Sequence, residues 1–178
     1  KLIETFLNAG VRALKQGMQN VATVLQVNIG FLFQKPSSFA NGLAALEKTN
    51  PPLAAYLRQT RTWSQRLLEC RNAIEHEGWT LPRVRYSRAG SGVTATEPAI
   101  AGQPVSEFAR FMIDRLNCFV EEVTAHGLQR KMPPMITFTE IPPAGRPAEM
   151  PERFQVTLAR GGLPPWSIFN HQEPFEEK

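Results

Sequence analysis

Apolar residues recur at spacings of three and four over the first 25 residues, at Ile3, Leu7, Val11, Leu14, Met18, Val21 and Leu25. Such a stripe is fully buried only when the segment is a helix packed on other helices. Gly10 and Gly17 lie inside it, seven residues apart. Each costs a helix interior about 1 kcal/mol, but close to two full turns separate them, so they share nearly one face and admit another backbone. A close helix–helix contact is expected there, within the chain or between chains. Asn28 to Gly30 is expected to end or bend this helix. The chain opens on Lys1, already inside the pattern, which reads as an excerpt of a longer protein or a trimmed start.

The helical period persists. A short helix is expected at 38–48, followed by Thr49-Asn50-Pro51-Pro52, where Asn50 suits an N-cap and proline suits the first turn. A helix over 51–77 then carries Leu53, Tyr56, Leu57, Trp63, Leu67 and Ile74 on its apolar stripe and stops at Gly78. Beyond it the period changes to two. Arg83 and Arg85 alternate with Val84 and Tyr86, Ala89-Gly90-Ser91-Gly92 offers a turn, and Val93–Thr96 returns, so a β-hairpin is expected near 82–99. Pro104 opens another helix, with Val105, Phe108, Met112, Leu116 (or Phe119) and Val123 on one stripe and Gly127 as its stop. His126 would then cap that helix, its imidazolium favoured by the helix dipole. From residue 131 onward the chain holds nine of its fifteen prolines, so only two short strands are expected, near 135–141 and 153–159. The fold class is mainly α (α+β). A helical domain over 1–130 carries an inserted hairpin, and a proline-rich extension over 131–178 packs on or docks to the bundle.

With 178 residues, 42% hydrophobic and 20% charged, the chain is a globular protein with one substantial core. No apolar run approaches the roughly 20 residues a bilayer demands, and no signal-peptide pattern is present, so no membrane partner is expected. Cys70 and Cys118 lack metal-ligand spacing, and His76, His126 and His171 are dispersed; neither a zinc site nor any other cofactor is expected. Two isolated thiols read as reduced and place the protein in the cytosol. Cys70 adjoins Arg71, and a neighbouring cation lowers a thiol's pKa; the alternative is a buried, inert thiol. His171 lies in the polar tail and is expected to be exposed.

The net charge of +4 is concentrated in residues 52–90, where Arg58, Arg61, Arg66, Arg71, Arg83, Arg85 and Arg88 face only Glu69, Glu75 and Glu77. A phosphate-backbone binder has this character, as does a solvated basic face. Inside the stretch lies Arg71-Asn72-Ala73-Ile74-Glu75-His76. Arginine presents a permanently charged fork that fits phosphate oxygens, and histidine exchanges a proton near neutral pH. Asn72 and His76 share a helix face, while Arg71 stands about 140° from His76 and has to reach around. Glu75, four residues after Arg71, competes for its guanidinium. Glu75 and Glu77 beside one histidine do not make a metal-ligand set. Trp79, just past the helix stop, reads either as a core plug or as a ring that stacks on a base.

The string RNAIEH resembles the Arg-x4-6-His signature of the HEPN superfamily, compact helical domains of which many are metal-independent ribonucleases. The resemblance covers roughly residues 1–127 and implies an HEPN-like helical bundle, with the hairpin and the tail as elaborations. It assigns catalysis to Arg71 and His76, with Asn72 as the polar orienting residue. The chemistry it implies is attack of a ribose 2′-hydroxyl on the adjacent phosphate of single-stranded RNA, leaving a 2′,3′-cyclic phosphate. His76 would move the proton and Arg71 would hold the phosphate. Arg66, Arg83, Arg85 and Trp79 are the candidates for further RNA contact. Such domains commonly act in pairs, and this chain holds one copy of the motif, so a homodimer or a second HEPN domain is expected. The resemblance further implies antiviral defence or a toxin–antitoxin setting, with an antitoxin or a larger effector assembly as partner. The alternative is a non-catalytic HEPN-like module for dimerisation, signalling or RNA or nucleotide binding within a larger protein.

Overall fold

A computed structural model describes residues 1–29, 33, 35–133, 135–146, 153–158 and 166–167. Four helices, α1 (Leu2–Leu25), α2 (Pro36–Glu47), α3 (Pro51–His76) and α4 (Val105–Lys131), form most of the molecule. Between α3 and α4 stand two antiparallel strand pairs, β1 (Arg85–Ala89) with β2 (Gly92–Thr96) and β3 (Ala99–Ile100) with β4 (Gln103–Pro104). After α4, β5 (Ile136–Glu140), β6 (Phe154–Leu158) and β7 (Trp166–Ser167) make a three-stranded antiparallel sheet in that order. The chain is therefore mainly helical with small antiparallel additions.

The first apolar stripe does what its spacing predicts. Leu7, Leu14, Met18 and Val21 are buried, and Ile3, Val11 and Leu25 flank the core. They meet Leu53, Leu57, Trp63 and Leu67 of α3 and Phe108, Met112 and Phe119 of α4. The two α1 glycines are the points of closest approach. A Cβ at Gly17 would stand 2.6 Å from the Phe119 ring, and one at Gly10 would stand 3.1 Å from both Leu116 and Leu67. Residue numbers rise together along α1 and α4 at these contacts, so those helices run the same way. Gly10 against Leu67, with Asn8 bonded to Arg71, makes α3 antiparallel to α1.

Local signals account for most element ends. Asn50 caps α3, its side-chain oxygen accepting from the Leu53 N–H at 3.2 Å. Gly78, with φ 67°, turns the chain after α3, and the Ala73 carbonyl accepts from both Glu77 and Trp79 N–H groups. α1 ends at Leu25, before the expected Asn28–Gly30, because Gln26 adopts a left-handed φ of 58° and the Val27 N–H closes on the Ala22 carbonyl. In the first hairpin Gly90 has φ 61°, the sign a two-residue hairpin loop needs.

Two expectations need correction. α4 does not stop at Gly127 but continues to Lys131. The Gln129 amide, in that added turn, donates to the Ile136 carbonyl at 3.0 Å and accepts from the Phe138 N–H at 2.8 Å. These bonds to β5 hold the helix past its glycine. His126 is consequently not a terminal cap. The paired part of the first hairpin also starts at Arg85, leaving Arg83 in the preceding chain, and both its faces are exposed.

The two classes of helical glycine separate in an experiment. Gly17→Ala drives a methyl into a rigid ring, and overpacking of this kind costs about 1–3 kcal/mol, more than alanine's gain of about 1 kcal/mol in helix propensity. Gly127 has nothing within 4 Å of a Cβ and lines, with Val24, Val120 and Leu128, an apolar groove of about 480 Å³. Gly127→Ala should therefore raise stability by about 0.5–1 kcal/mol. Urea unfolding should show the midpoint falling in the first variant and rising in the second.

Candidate functional site

The last turns of α3 carry the Arg–Asn–His motif beside the first third of α1. The guanidinium of Arg71 is shared among three oxygens. Its Nε donates to Asn8 Oδ1 at 3.3 Å, its Nη1 to Asn72 Oδ1 at 3.0 Å, and its Nη2 lies 2.6 Å from Glu75 Oε2. Glu75 thus takes the place its spacing allows. The same Oε2 stands 4.0 Å from His76 Nε2, and the His76 side chain is 66% exposed. One carboxylate oxygen therefore sits between the guanidinium and the imidazole. In chemical terms, Arg71 and His76 flank a position already filled by an anionic oxygen. Asn72 turns its oxygen to Arg71, so it orients the guanidinium rather than the ring.

The other expected contacts are dispersed. Trp79 is half-buried and packs against the core beside Ile74, the core-plug placement. Arg66 reaches the Ala101 carbonyl at 3.4 Å, tying α3 to the β3–β4 turn. Arg83 and Arg85 are exposed. Cys70 is half-buried, and burial, reinforced by the charge of Glu69, pushes its thiol up despite the pull of Arg66. That favours the inert thiol over the activated one. His171 lies outside the described residues.

A second charged cluster, absent from the sequence reading, lies where the tail crosses α4. Arg153 is buried against Glu122 Oε2 at 2.5 Å, donates to the Cys118 carbonyl at 3.2 Å and reaches Glu140 Oε1 at 3.4 Å. Its guanidinium also lies over the rings of Tyr56 and Phe154, 5.5 and 5.2 Å from their centroids. Glu122 Oε1 stands 3.4 Å from His126 Nε2, and His126 Nδ1 meets the amide of Asn50 at 3.2 Å. The N-cap of α3, the middle of α4 and the start of β6 are thereby joined through polar atoms. Burial pushes the Tyr56 phenol upward and Cys118 up to about 11. Buried ion pairs of this kind fix geometry more than they add stability. The i, i+4 spacing of Glu122 and His126 was a usable sign, but nothing in the local sequence delivers Arg153 to them.

Glu121 is the member of this cluster left unsatisfied. It is buried, its Oε2 accepts no hydrogen bond among the described residues, and Arg153 Nη1 approaches only to 4.0 Å. Burial, reinforced by Asp114 and Glu122 and opposed by Arg153 and Arg146, raises its carboxyl to about 7. No protein-family model, no curated protein and no solved structure matches this chain.

A raised carboxyl makes the folded state hold a proton that the unfolded chain has released. Its contribution to stability is therefore present below the ordinary value of 4.5 and is lost as pH rises toward about 7. Glu121→Gln keeps the shape without the charge. Urea midpoints measured from pH 5 to 8 should fall less steeply with pH in this variant than in the parent, leaving it the more stable of the two at pH 8.

Proposed function

We propose that the chain is a metal-independent endoribonuclease of HEPN type that cleaves single-stranded RNA in the cytosol and works as a homodimer or beside a second such domain. The observation that carries the reading is the single anionic oxygen bound by Arg71 Nη2 at 2.6 Å and standing 4.0 Å from His76 Nε2. A phosphate oxygen of RNA has the charge and size to replace it. The ribose 2′-oxygen forms a bond to phosphorus while the bond from phosphorus to the 5′-oxygen breaks. The 2′-hydroxyl proton passes to one imidazole and a proton reaches the departing 5′-oxygen from another. The products are a 2′,3′-cyclic phosphate and a 5′-hydroxyl. Arg71 stabilises the charge that develops on the phosphoryl oxygens. One histidine per chain supplies one proton carrier, which is the chemical reason a facing second copy is required. Antiviral defence or a toxin–antitoxin pair is the setting this chemistry and the resemblance favour.

A second reading has its own support. The bond from Arg71 to Asn8 ties α3 to α1, and those to Asn72 and Glu75 hold the guanidinium along α3, as a purely structural arginine would. On that reading the chain is a non-catalytic helical module for dimerisation, signalling or nucleotide binding.

Single-stranded RNA incubated with the protein in EDTA distinguishes the two. Because His76 is largely exposed, His76→Ala should leave stability within about 0.5 kcal/mol while cutting the cleavage rate by about 10² or more, the usual contribution of a proton-transfer group. Arg71→Ala should abolish cleavage as well, with some loss of stability through Asn8. Absence of cleavage by the parent at every oligomeric state would leave the binding-module reading standing, and full activity in His76→Ala would overturn the role given to His76.

Glu75→Gln offers an independent check on the shared oxygen. Removing its charge releases Arg71 from a partly exposed pair worth about 0.2–1 kcal/mol. RNA affinity, read by fluorescence anisotropy, should rise about two- to fivefold. A fall would mean that Glu75 assists the site instead of blocking it.

A further inference from the structure

The seven arginines of residues 52–90 divide into two groups. Arg58 pairs with Glu47, Arg61 donates to the Phe33 carbonyl and lies over the Phe39 ring, Arg66 reaches Ala101, and Arg71 is held as described. Arg83, Arg85 and Arg88 form no hydrogen bond or ion pair among the described residues. All three belong to the β1–β2 hairpin or the chain that leads into it.

That hairpin is exposed on both faces along every residue of both strands. Its register places Tyr86 opposite Ala95 and Arg88 opposite Val93, so one face presents Tyr86, Arg88, Val93 and Ala95 together. Tyr86 and Val93 are each 73% exposed. Arg85 projects from the opposite face, paired with Thr96. The base of the hairpin is firmly held. Glu97 accepts from the Ser106 hydroxyl at 2.7 Å and from its N–H at 3.0 Å, bonds that hold the carboxylate below its ordinary range, and the Val105 N–H closes on the Pro98 carbonyl at 2.9 Å. Glu97 is the sole acid between Gly78 and Pro104, and these bonds keep it at the root of α4.

A two-stranded hairpin is marginal in water without a cover. The cover that fits here must be anionic and must offer flat apolar surface to a phenol ring. A second copy of the hairpin would set like charge against like. We propose that β1–β2 is a single-stranded nucleic-acid arm, with Tyr86 stacking on a base, Arg88 on the same face taking a flanking phosphate, and Arg83 and Arg85 taking phosphates where the strand passes around the edge of the hairpin. The choice of RNA as its natural strand rests on the ribonuclease reading; binding by the arm does not.

The test uses the whole protein and a fluorescein-labelled 2′-O-methyl RNA 15-mer, which has no free 2′-hydroxyl and cannot be cut by the proposed chemistry. Tyr86→Ser should weaken binding about tenfold, as loss of a stacked base does, while Tyr86→Phe stays within about twofold. The double variant Arg85→Gln/Arg88→Gln should flatten the dependence of log affinity on log salt by about 1.4, roughly 0.7 for each single-strand phosphate contact. No binding by the parent at low salt would overturn the arm, as would Tyr86→Ser affinity within twofold of the parent or a salt slope unchanged in the double variant. Sedimentation of the same samples identifies the other occupant. A parent dimer dissociated by Tyr86→Ser, with oligonucleotide binding unaltered, makes the face a contact between copies and also overturns the proposal. Since the probe is uncut, a failure of the His76 chemistry leaves these affinities readable, and a failure of the arm leaves cleavage readable.

Discussion

The bare backbone of α1 at Gly10 and Gly17 is the constraint on which the arrangement rests. A Cβ at either position would meet Leu67 and Leu116, or the Phe119 ring, at 3.1 Å or less. That closeness brings α3 near enough for Asn8, two residues before Gly10, to accept from Arg71, four residues after Leu67. The position of the guanidinium at the end of α3 is therefore a consequence of helix packing about one turn away. Interiors packed at this density transmit even a one-carbon change, so a glycine on α1 and an arginine on α3 form one structural unit.

Electrostatics then sorts what packing has placed. Most arginines of the basic stretch are consumed internally, and the local excess of positive charge resolves into a partly neutralised site at the end of α3 and a group on the hairpin with no partner among the described residues. Arg71 is not a free phosphate hook. It is poised between a structural role toward Asn8 and an exchangeable one toward Glu75. An exposed His76 beside it makes the exchange chemically productive only if an RNA phosphate displaces the carboxylate. The Arg153 cluster plays the opposite part, holding β6 against α4 through the buried pair of Arg153 and Glu122.

Helix positions were legible because a period of three and four, an asparagine before two prolines and a glycine stop are local statements. Leu7, Leu14, Met18, Leu53, Leu57 and Leu67 are buried as their spacing requires. The competition of Glu75 for Arg71 was legible for the same reason, since i, i+4 partners are set by the helix itself. What could not be read depended on distant chain. Gly127 looks like a stop until Gln129 is seen bonded to β5. The alternation at Val84–Tyr86 implies a covered face, yet the bundle offers nothing to cover it. Arg153 and Glu122 are 31 residues apart and meet only because the sheet folds back on α4.

The chemistry of the ends left on cut RNA tests the central claim most directly. Mass spectrometry of an RNA oligonucleotide treated with the protein in EDTA should find a 2′,3′-cyclic phosphate on one fragment and a 5′-hydroxyl on the other. These ends require attack by the neighbouring 2′-oxygen, the step proposed for Arg71 and His76. Fragments ending in a 3′-hydroxyl and a 5′-phosphate would contradict the account, because they arise from attack by water with the 3′-oxygen leaving, without participation of the 2′-hydroxyl.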